Sequence, residues 1–571
     1  MNKSRWFIIK TLFLIILPGI FITRLFIIQI WQKKEFEPKI ERQISSKIRI
    51  SIPRGDILDR NKKIIATSVE YANVYINSRP FLEGINIFSK RKPIIVENNF
   101  AIIESVLNIK KDEILKICKK YKRFCLAEKL ELSEAAKLEN IPGLEINRYT
   151  VRIYPYDKTG SYVIGRVNKE GIPYSGIELE LNDVLAQMKT KEIDIYRSGS
   201  IRKKSIRLVN IKDVIEFTEK NKNPTVVLTL DFSLQSKIEN VLKTYYELYN
   251  PLLIMCIVQS INTGEILVMS CLPETDTPFR NPATDICYEP GSVFKVFPMA
   301  IFLEEKITTQ NEIINCENGK FLYYGQTISD VKPHRFLSVE DIIVFSSNIG
   351  MSKLFLKYLK PKEFFNSIRM LGFGNSTGIE FSTEAKGYIP KTSDKLYSLL
   401  TPLNVSFGQG LTTTPLQIVN GYTMIARNGE LLQPYIVKEI IDEDGNILYK
   451  GKTCCIRRTL SYSTCQILKN MLYKTVEYGS AQRAKIPGIK ICAKTGTAQK
   501  FDFELNRYSD TKYFMSCCGF FPMENSEFTV GIFIDEPKKG TLASEVAVPV
   551  FKDVVLQILN HYNKIHYAKI Y

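Results

Sequence analysis

The chain has 571 residues, 45% hydrophobic and 24% charged, which excludes wholesale disorder and is enough for two or more domains with buried cores. Its formal net charge is +18, but the excess is local: residues 1–220 hold 41 basic against 26 acidic side chains, and residues 221–571 hold 37 against 34. With no arginine-rich helix or aromatic stacking pattern in the basic half, this distribution argues against nucleic-acid binding and for a solvated surface beside anionic lipid or cell-wall polymer.

From Trp6 to Trp31, the only two tryptophans, the chain is apolar apart from Lys10, Arg24 and a few neutral polar residues. At 1.5 Å per residue these 25 steps span about 37 Å, which fits a bilayer core with its interfaces. One transmembrane anchor is expected at 6–31, after a cytoplasmic tail at 1–5. The uncharged run Thr11–Thr23 covers only about 20 Å, so Lys10 and Arg24 must snorkel or meet a partner helix. A cleaved signal peptide fits less well, because Arg24-Leu25-Phe26-Ile27-Ile28 stays bulky where small residues would mark a cleavage site. Basic residues flank both ends, so charge alone does not orient the helix.

A polar linker at 32–45 leads to a first soluble domain at 46–220, punctuated by Ser51-Ile-Pro-Arg-Gly55, Ile141-Pro-Gly143 and Gly171-Ile-Pro173, with a helical, lysine-rich stretch at Asn99–Lys120. A second domain is expected over 225–563, followed by a tail at 564–571. Thr225–Leu230 and Leu252–Gln259 read as strands, and Asn262-Thr-Gly264 turns the latter into Glu265–Ser270 as a hairpin. Tyr513–Phe521 and Glu527–Ile534 read as another strand pair, with Phe528, Val530, Ile532 and Ile534 on one face. Strand pairs at both ends of the domain around a helical middle imply an α+β fold, an antiparallel sheet flanked by helices. The twelve cysteines form no CxxC pair, and His334, His561 and His566 sit away from them. They read as buried free thiols, with no zinc site and no cofactor.

Chemistry enters at Ser292-Val-Phe-Lys295. Glu289-Pro-Gly291 stops the preceding segment and the apolar run Val296–Leu303 suits a buried helix, so Ser292 falls at a helix start, where developing negative charge is favoured. The i,i+3 spacing stacks Lys295 over the same face. An amine in a dry pocket beside a second cation loses basicity and can take a serine proton without any histidine. SxxK alone is a weak signal, since Ser89/Lys92, Ser200/Lys203, Ser329/Lys332 and Ser509/Lys512 match it too; only Ser292 follows Pro-Gly and opens a long apolar run. Two further elements join it. Ser346-Ser-Asn348, 54 residues on, offers a hydroxyl and a carboxamide, and Lys494-Thr-Gly-Thr-Ala498, 148 residues beyond Ser346, offers an amine, two hydroxyls and a glycine that lets backbone approach a ligand. KTG recurs at Lys158-Thr-Gly160, where a solvated turn accounts for it.

The ordered trio resembles the serine acyl-transferases grouped as penicillin-binding proteins and serine β-lactamases. The chain is similar along nearly its whole length to the class B penicillin-binding proteins, and within them to the division-specific septal D,D-transpeptidases. The resemblance rests on Arg54-Gly-Asp-Ile-Leu-Asp-Arg60, Arg152-Ile-Tyr-Pro155, Gly176-Ile-Glu178 and Thr229-Leu-Asp231 with Gln235, and on Tyr288-Glu-Pro-Gly-Ser-Val-Phe-Lys295, Ser346-Ser-Asn-Ile-Gly350, Gly408-Gln-Gly410, Thr414-Pro-Leu-Gln417 and Lys494-Thr-Gly-Thr-Ala-Gln499. It implies a non-catalytic pedestal domain and a transpeptidase domain. By the same resemblance Ser292 is the nucleophile, Lys295 the general base, and Ser346 and Lys494 assist proton transfer. Asn348 holds the substrate amide, Thr495 and Thr497 hold its carboxylate with Gly496 between them, and the N–H groups of Ser292 and Thr497 form the oxyanion hole. Implied partners are peptidoglycan stem peptides, β-lactams as covalent inhibitors, a polytopic cell-wall glycosyltransferase and other division proteins, with the catalytic domain outside the cytoplasmic membrane at the septum. An elongation-type transpeptidase, a β-lactamase and a catalytically idle division scaffold are the alternatives. Two departures stand out, the strongly polar segment Lys500–Lys512 and the number of cysteines.

Overall fold

A computed structural model describes residues 3–32, 45–91, 93–187, 190–196, 222–274, 279–502 and 507–563. The linker expected at 32–45, apart from its end residues, and the tail at 564–571 lie outside them. The chain divides into two compact units, one of residues 1–53, 69–151 and 188–222 and one of residues 54–68, 152–187 and 223–571.

The first unit begins with a helix, Lys3–Phe26, and a single π turn, Ile27–Trp31. Among the described residues no helix is long and apolar enough to cross a membrane. The transmembrane helix expected over 6–31 is not shown as such: these residues form the helix and the π turn, with Pro18 inside the helix. Farther on, the strand that reaches Asn77 pairs antiparallel with Arg123–Glu131, as in Tyr75 opposite Cys125. The stretch read as helical over 99–120 is two helices, Pro93–Leu107 and Lys111–Lys120, separated at Asn108 with its left-handed φ of 55°. Val74, Ile76, Phe81, Phe100, Ile103 and Ile114 form the core of this unit.

In the second unit a five-stranded antiparallel sheet is built from β1 (Leu253–Ser260), β2 (Ile266–Leu272), β3 (Cys492–Asp502), β4 (Arg507–Phe521) and β5 (Phe528–Asp535), in the order β3-β4-β5-β1-β2. Strand pairs from the two ends of the domain thus meet at the β5–β1 seam, where Val530 lies opposite Val258. Period-2 alternation sends the β5 residues to two cores. Phe528, Val530, Ile532 and Ile534 pack with α1 (Phe232–Tyr249) and α5 (Ala543–His561), while Phe533 joins the cluster around α2 (Val296–Glu304) and α4 (Pro415–Ala426). Two of these helices start as their sequence dictates. Asp231 caps α1 by accepting from the Leu234 N–H, and Thr414 and Gln417 form a capping box on α4 with Pro415 at its first turn. All twelve residues of α4 are buried, and Gly421 is small because a Cβ there would lie 2.7 Å from the Phe297 ring.

Residues 54–68 join this unit through the parallel pairing of Ile57 with Val226, and a buried ion cluster ties them to residues 152–187. Glu178 accepts from Arg54 Nε at 2.5 Å and from Arg152 Nε at 2.7 Å, and Arg152 also donates to the Gly55 carbonyl at 2.8 Å. The cysteine expectation needs one correction. All twelve thiols are free, but Cys287, Cys454 and Cys455 are exposed and Cys125 is half-buried; Cys454 and Cys455 lie on the strand Cys454–Arg458, whose residues are mostly exposed.

Candidate active site

The nucleophile loop is held by backbone. Tyr288 and Thr413 exchange N–H···O bonds of 3.0 and 2.9 Å, and Gly291 donates to the Gly408 carbonyl at 2.9 Å. Gly291 has a φ of 57° and Gly408 one of 92°, and a Cβ on Gly408 would fall 2.0 Å from the Gly291 oxygen. The glycines flanking this contact are therefore conformational and steric necessities. The chain then enters a single 3-10 turn, Gly291–Lys295, and continues as α2, so Ser292 lies at a helix start as the sequence implied. Ser292 is partly exposed and lines a cleft of about 620 Å³, and Lys295, one turn on, is fully buried.

Ser346 is brought to Lys295 by the turn ahead of α3 (Asn348–Tyr358), and it takes a left-handed φ of 64°, which strains a non-glycine residue by about 1–2 kcal/mol. Asp330, a residue the sequence reading missed, grips that turn. Its carboxylate accepts from Ser347 Oγ at 2.6 Å, Asn348 N at 2.5 Å and Ile349 N at 3.1 Å. No local motif flags Asp330, because its partners lie 17 to 19 residues away, beyond a strand at Phe336–Ser338 and a helix at Val339–Val344.

Lys494 is delivered by β3, opposite Cys518. Its Nζ donates to Ser346 Oγ at 2.9 Å and to the Thr495 carbonyl at 3.1 Å, while Lys295 Nζ donates to Ser346 Oγ at 3.2 Å and to the Ser346 carbonyl at 2.6 Å. Two amines from segments 199 positions apart in the chain thus converge on one hydroxyl. Desolvation, and then the neighbouring Lys494 charge, hold the Lys295 amine well below its ordinary range, against an opposing pull from Asp330. Desolvation lowers Lys494 to about 7. Lys494 therefore has access to the neutral form near neutral pH, and Lys295 is biased toward its neutral form.

The remaining expected residues are also gathered, with qualifications. Asn348, Thr495 and Thr497 line the cleft, and Gly496 is closed in by Ser516 Oγ at 2.7 Å and the Pro290 oxygen at 2.9 Å from a Cβ position. Asn348 Nδ2 donates to the Ser329 carbonyl at 2.8 Å, Thr495 Oγ1 donates to Ser480 Oγ at 3.0 Å, and Thr497 Oγ1 accepts from Ala543 N at 3.0 Å. Ser480 is a second residue the sequence did not single out. Among the described residues no hydrogen bond joins the Ser292 hydroxyl to either amine; Lys295 is turned instead to the Ser346 carbonyl. Such contacts are commonly loose before substrate is bound. The polar segment after the KTG motif spends part of its charge inside the fold: Lys500 pairs with Asp535 and Glu536, and Tyr508 donates to Glu289.

The transpeptidase domain of penicillin-binding proteins matches residues 254–556, and the penicillin-binding protein dimerisation domain matches residues 49–201. The chain is 30% identical to the peptidoglycan D,D-transpeptidase FtsI of Buchnera aphidicola subsp. Baizongia pistaciae, over 89% of this chain and 86% of that protein. It is 26% identical to the FtsI homolog of Mesostigma viride, over 98% and 97%. In fold it is similar to a crystal structure of penicillin binding protein 3 from Mycobacterium tuberculosis, with a TM-score of 0.67 at 23% identity over 90% of this chain and 97% of that one. Penicillin Binding Protein 2X from Streptococcus thermophilus superposes with a TM-score of 0.72 at 20% identity, over 90% and 80%.

Proposed function

The chain belongs to the penicillin-binding protein transpeptidases, and from that premise we propose that it cross-links stem peptides of the septal cell wall through an acyl-enzyme on Ser292. The convergence of Lys295 and Lys494 on Ser346 Oγ beside Ser292 is the observation that carries this reading. Neutral Lys295 takes the Ser292 proton as Oγ bonds to the penultimate D-Ala carbonyl carbon, and the N–H groups of Ser292 and Thr497 receive the oxyanion. The bond to the terminal D-Ala then breaks. Its nitrogen collects a proton through Ser346, whose hydroxyl both amines contact, and departs as the free amine. An amine from a neighbouring strand attacks the ester, and its proton returns to Ser292 by the same relay. Asn348 orients the substrate amide, and Thr495 and Thr497, spaced by Gly496, hold its carboxylate.

β-Lactams acylate the same serine. The first soluble domain acts as a non-catalytic pedestal, residues 6–31 anchor the chain with the catalytic domain outside the cytoplasmic membrane, and a polytopic glycosyltransferase and other division proteins are its partners. The exposure of Phe13, Leu14, Ile20, Phe21 and Ile22 on the first helix supports a lipid-facing or partner-facing role. The test is mass spectrometry of the protein treated with penicillin. One adduct on Ser292 that persists for many minutes, and none on Ser292→Ala, is expected. Rapid release of opened drug indicates a β-lactamase, and an adduct on the Ser292→Ala protein defeats the mechanism.

A further inference from the structure

The cleft holds two cations beyond its motif residues, Lys332 and Arg483, and no aspartate or glutamate is among the described residues that line it. Both are exposed, and among the described residues neither forms an ion pair. The contrast with nearby lysines is clear, since Lys353, Lys357, Lys474 and Lys485 are each matched by a glutamate, at Glu317, Glu312, Glu340 and Glu477. With Lys332 and Arg483 on its rim and no carboxylate among the described residues that line it, the cleft concentrates anions.

The two rim cations belong to different walls. Arg483 follows Ser480, which accepts from Thr495 Oγ1, so it stands with the residues proposed to hold the terminal carboxylate. Lys332 follows Asp330, whose carboxylate is bonded to Asn348 N, so it stands with the residue proposed to hold the substrate amide. A donor peptide with its acyl carbon at Ser292 and its terminal carboxylate at Thr495 and Thr497 runs its upstream residues toward the Asn348 wall. One carboxylate at the peptide terminus accounts for Arg483 and leaves Lys332 unmatched.

We propose that Lys332 reads a carboxylate on the side chain of the residue preceding the D-Ala pair, so that the cleft selects acidic donor peptides over amidated ones. This rests on the transpeptidase reading and adds the substrate class to it. An exposed ion pair contributes at most about fivefold in affinity and is weakened by salt.

The experiment uses the full-length protein in detergent and two synthetic pentapeptides ending in D-Ala-D-Ala, identical except that the side-chain carboxylate of the preceding residue is free in one and amidated in the other. The readout is kcat/KM for D-Ala release at low and high salt. The expected result is a preference for the free carboxylate of about fivefold at low salt that shrinks at high salt. In Lys332→Gln the ratio between donors falls to about one, Lys332→Arg restores it, and Arg483→Gln slows both donors while keeping the ratio. Equal rates in the native protein, or an unchanged ratio in Lys332→Gln, overturn the assignment. If neither donor releases D-Ala and penicillin fails to label Ser292, the transpeptidase reading itself falls, and the assignment with it; labelling with equal donor rates refutes the assignment alone.

Discussion

Replacing Lys494 by methionine is expected to abolish acylation and yet stabilise the fold. The amine is fully buried, and its pKa falls from 10.5 to about 7 because burial disfavours the charged form. A depression of that size corresponds to about 5 kcal/mol of native-state destabilisation when the group is protonated in both states. Methionine removes this cost but also removes the donors to Ser346 Oγ and the Thr495 carbonyl, each contributing about 1 kcal/mol. A net gain of roughly 2–3 kcal/mol at pH 7 follows. The pH dependence has a definite sign. Below pH 7 both folded and unfolded chains carry the proton, so the native lysine bears its full penalty. Between about 7 and 10.5 only the unfolded chain keeps the proton, so native stability climbs toward that of the variant with rising pH. Above 10.5 the penalty is gone and the lost hydrogen bonds leave the variant the weaker of the two. The assay is denaturant unfolding of native and Lys494→Met proteins from pH 6 to 10.5, alongside fluorescent-penicillin labelling. A variant less stable than the native protein at pH 7, or a difference independent of pH, refutes the claim that the cleft holds this amine at an energetic cost.

The acylation rate of the native protein is expected to fall as pH is lowered, because Lys295 must be neutral to accept the Ser292 proton and burial beside Lys494 places its titration well below that of free lysine; a rate flat from pH 5 to 9 in stopped-flow acylation contradicts this. Asp330→Ala removes the carboxylate that holds the turn at Ser346, leaving Asn348 N and Ile349 N without their acceptor; we expect second-order acylation by penicillin to drop about tenfold or more, the size of a misplaced catalytic group, and an unchanged rate would show that Ser346 keeps its pose unaided. Glu178→Gln leaves two buried guanidiniums without their counter-charge and is expected to cost about 3–5 kcal/mol in denaturant unfolding; a loss under about 1 kcal/mol would mean the cluster is better solvated than its burial implies.

The five SxxK matches show where sequence reasoning has its strength. Ser292 was separable from the others because Pro-Gly before it and an apolar run after it are local instructions for a helix start, and the structure places a 3-10 turn and α2 there. The rejected Ser329/Lys332 pair turns out to border the same cleft: the Ser329 carbonyl receives Asn348 Nδ2, and Lys332 lines the rim. Nothing in its spacing could announce that, since the segment that carries it reaches Asn348 only in the folded chain.

Amino-acid order alone determined the helix starts, the strand pairs that close the sheet and the types of side chain brought to the chemistry, because capping, alternation and i,i+3 stacking act over one or two turns. Whether those side chains meet was a tertiary matter. Lys494 reaches Ser346 only because β3 forms one edge of the sheet, and Asp330, Ser480 and Lys332 join the cleft through crossings between segments remote in the chain. The lowered basicity of the two amines has the same origin: desolvation is a property of the packed interior, and it exists only once the sheet and the helices have closed around them.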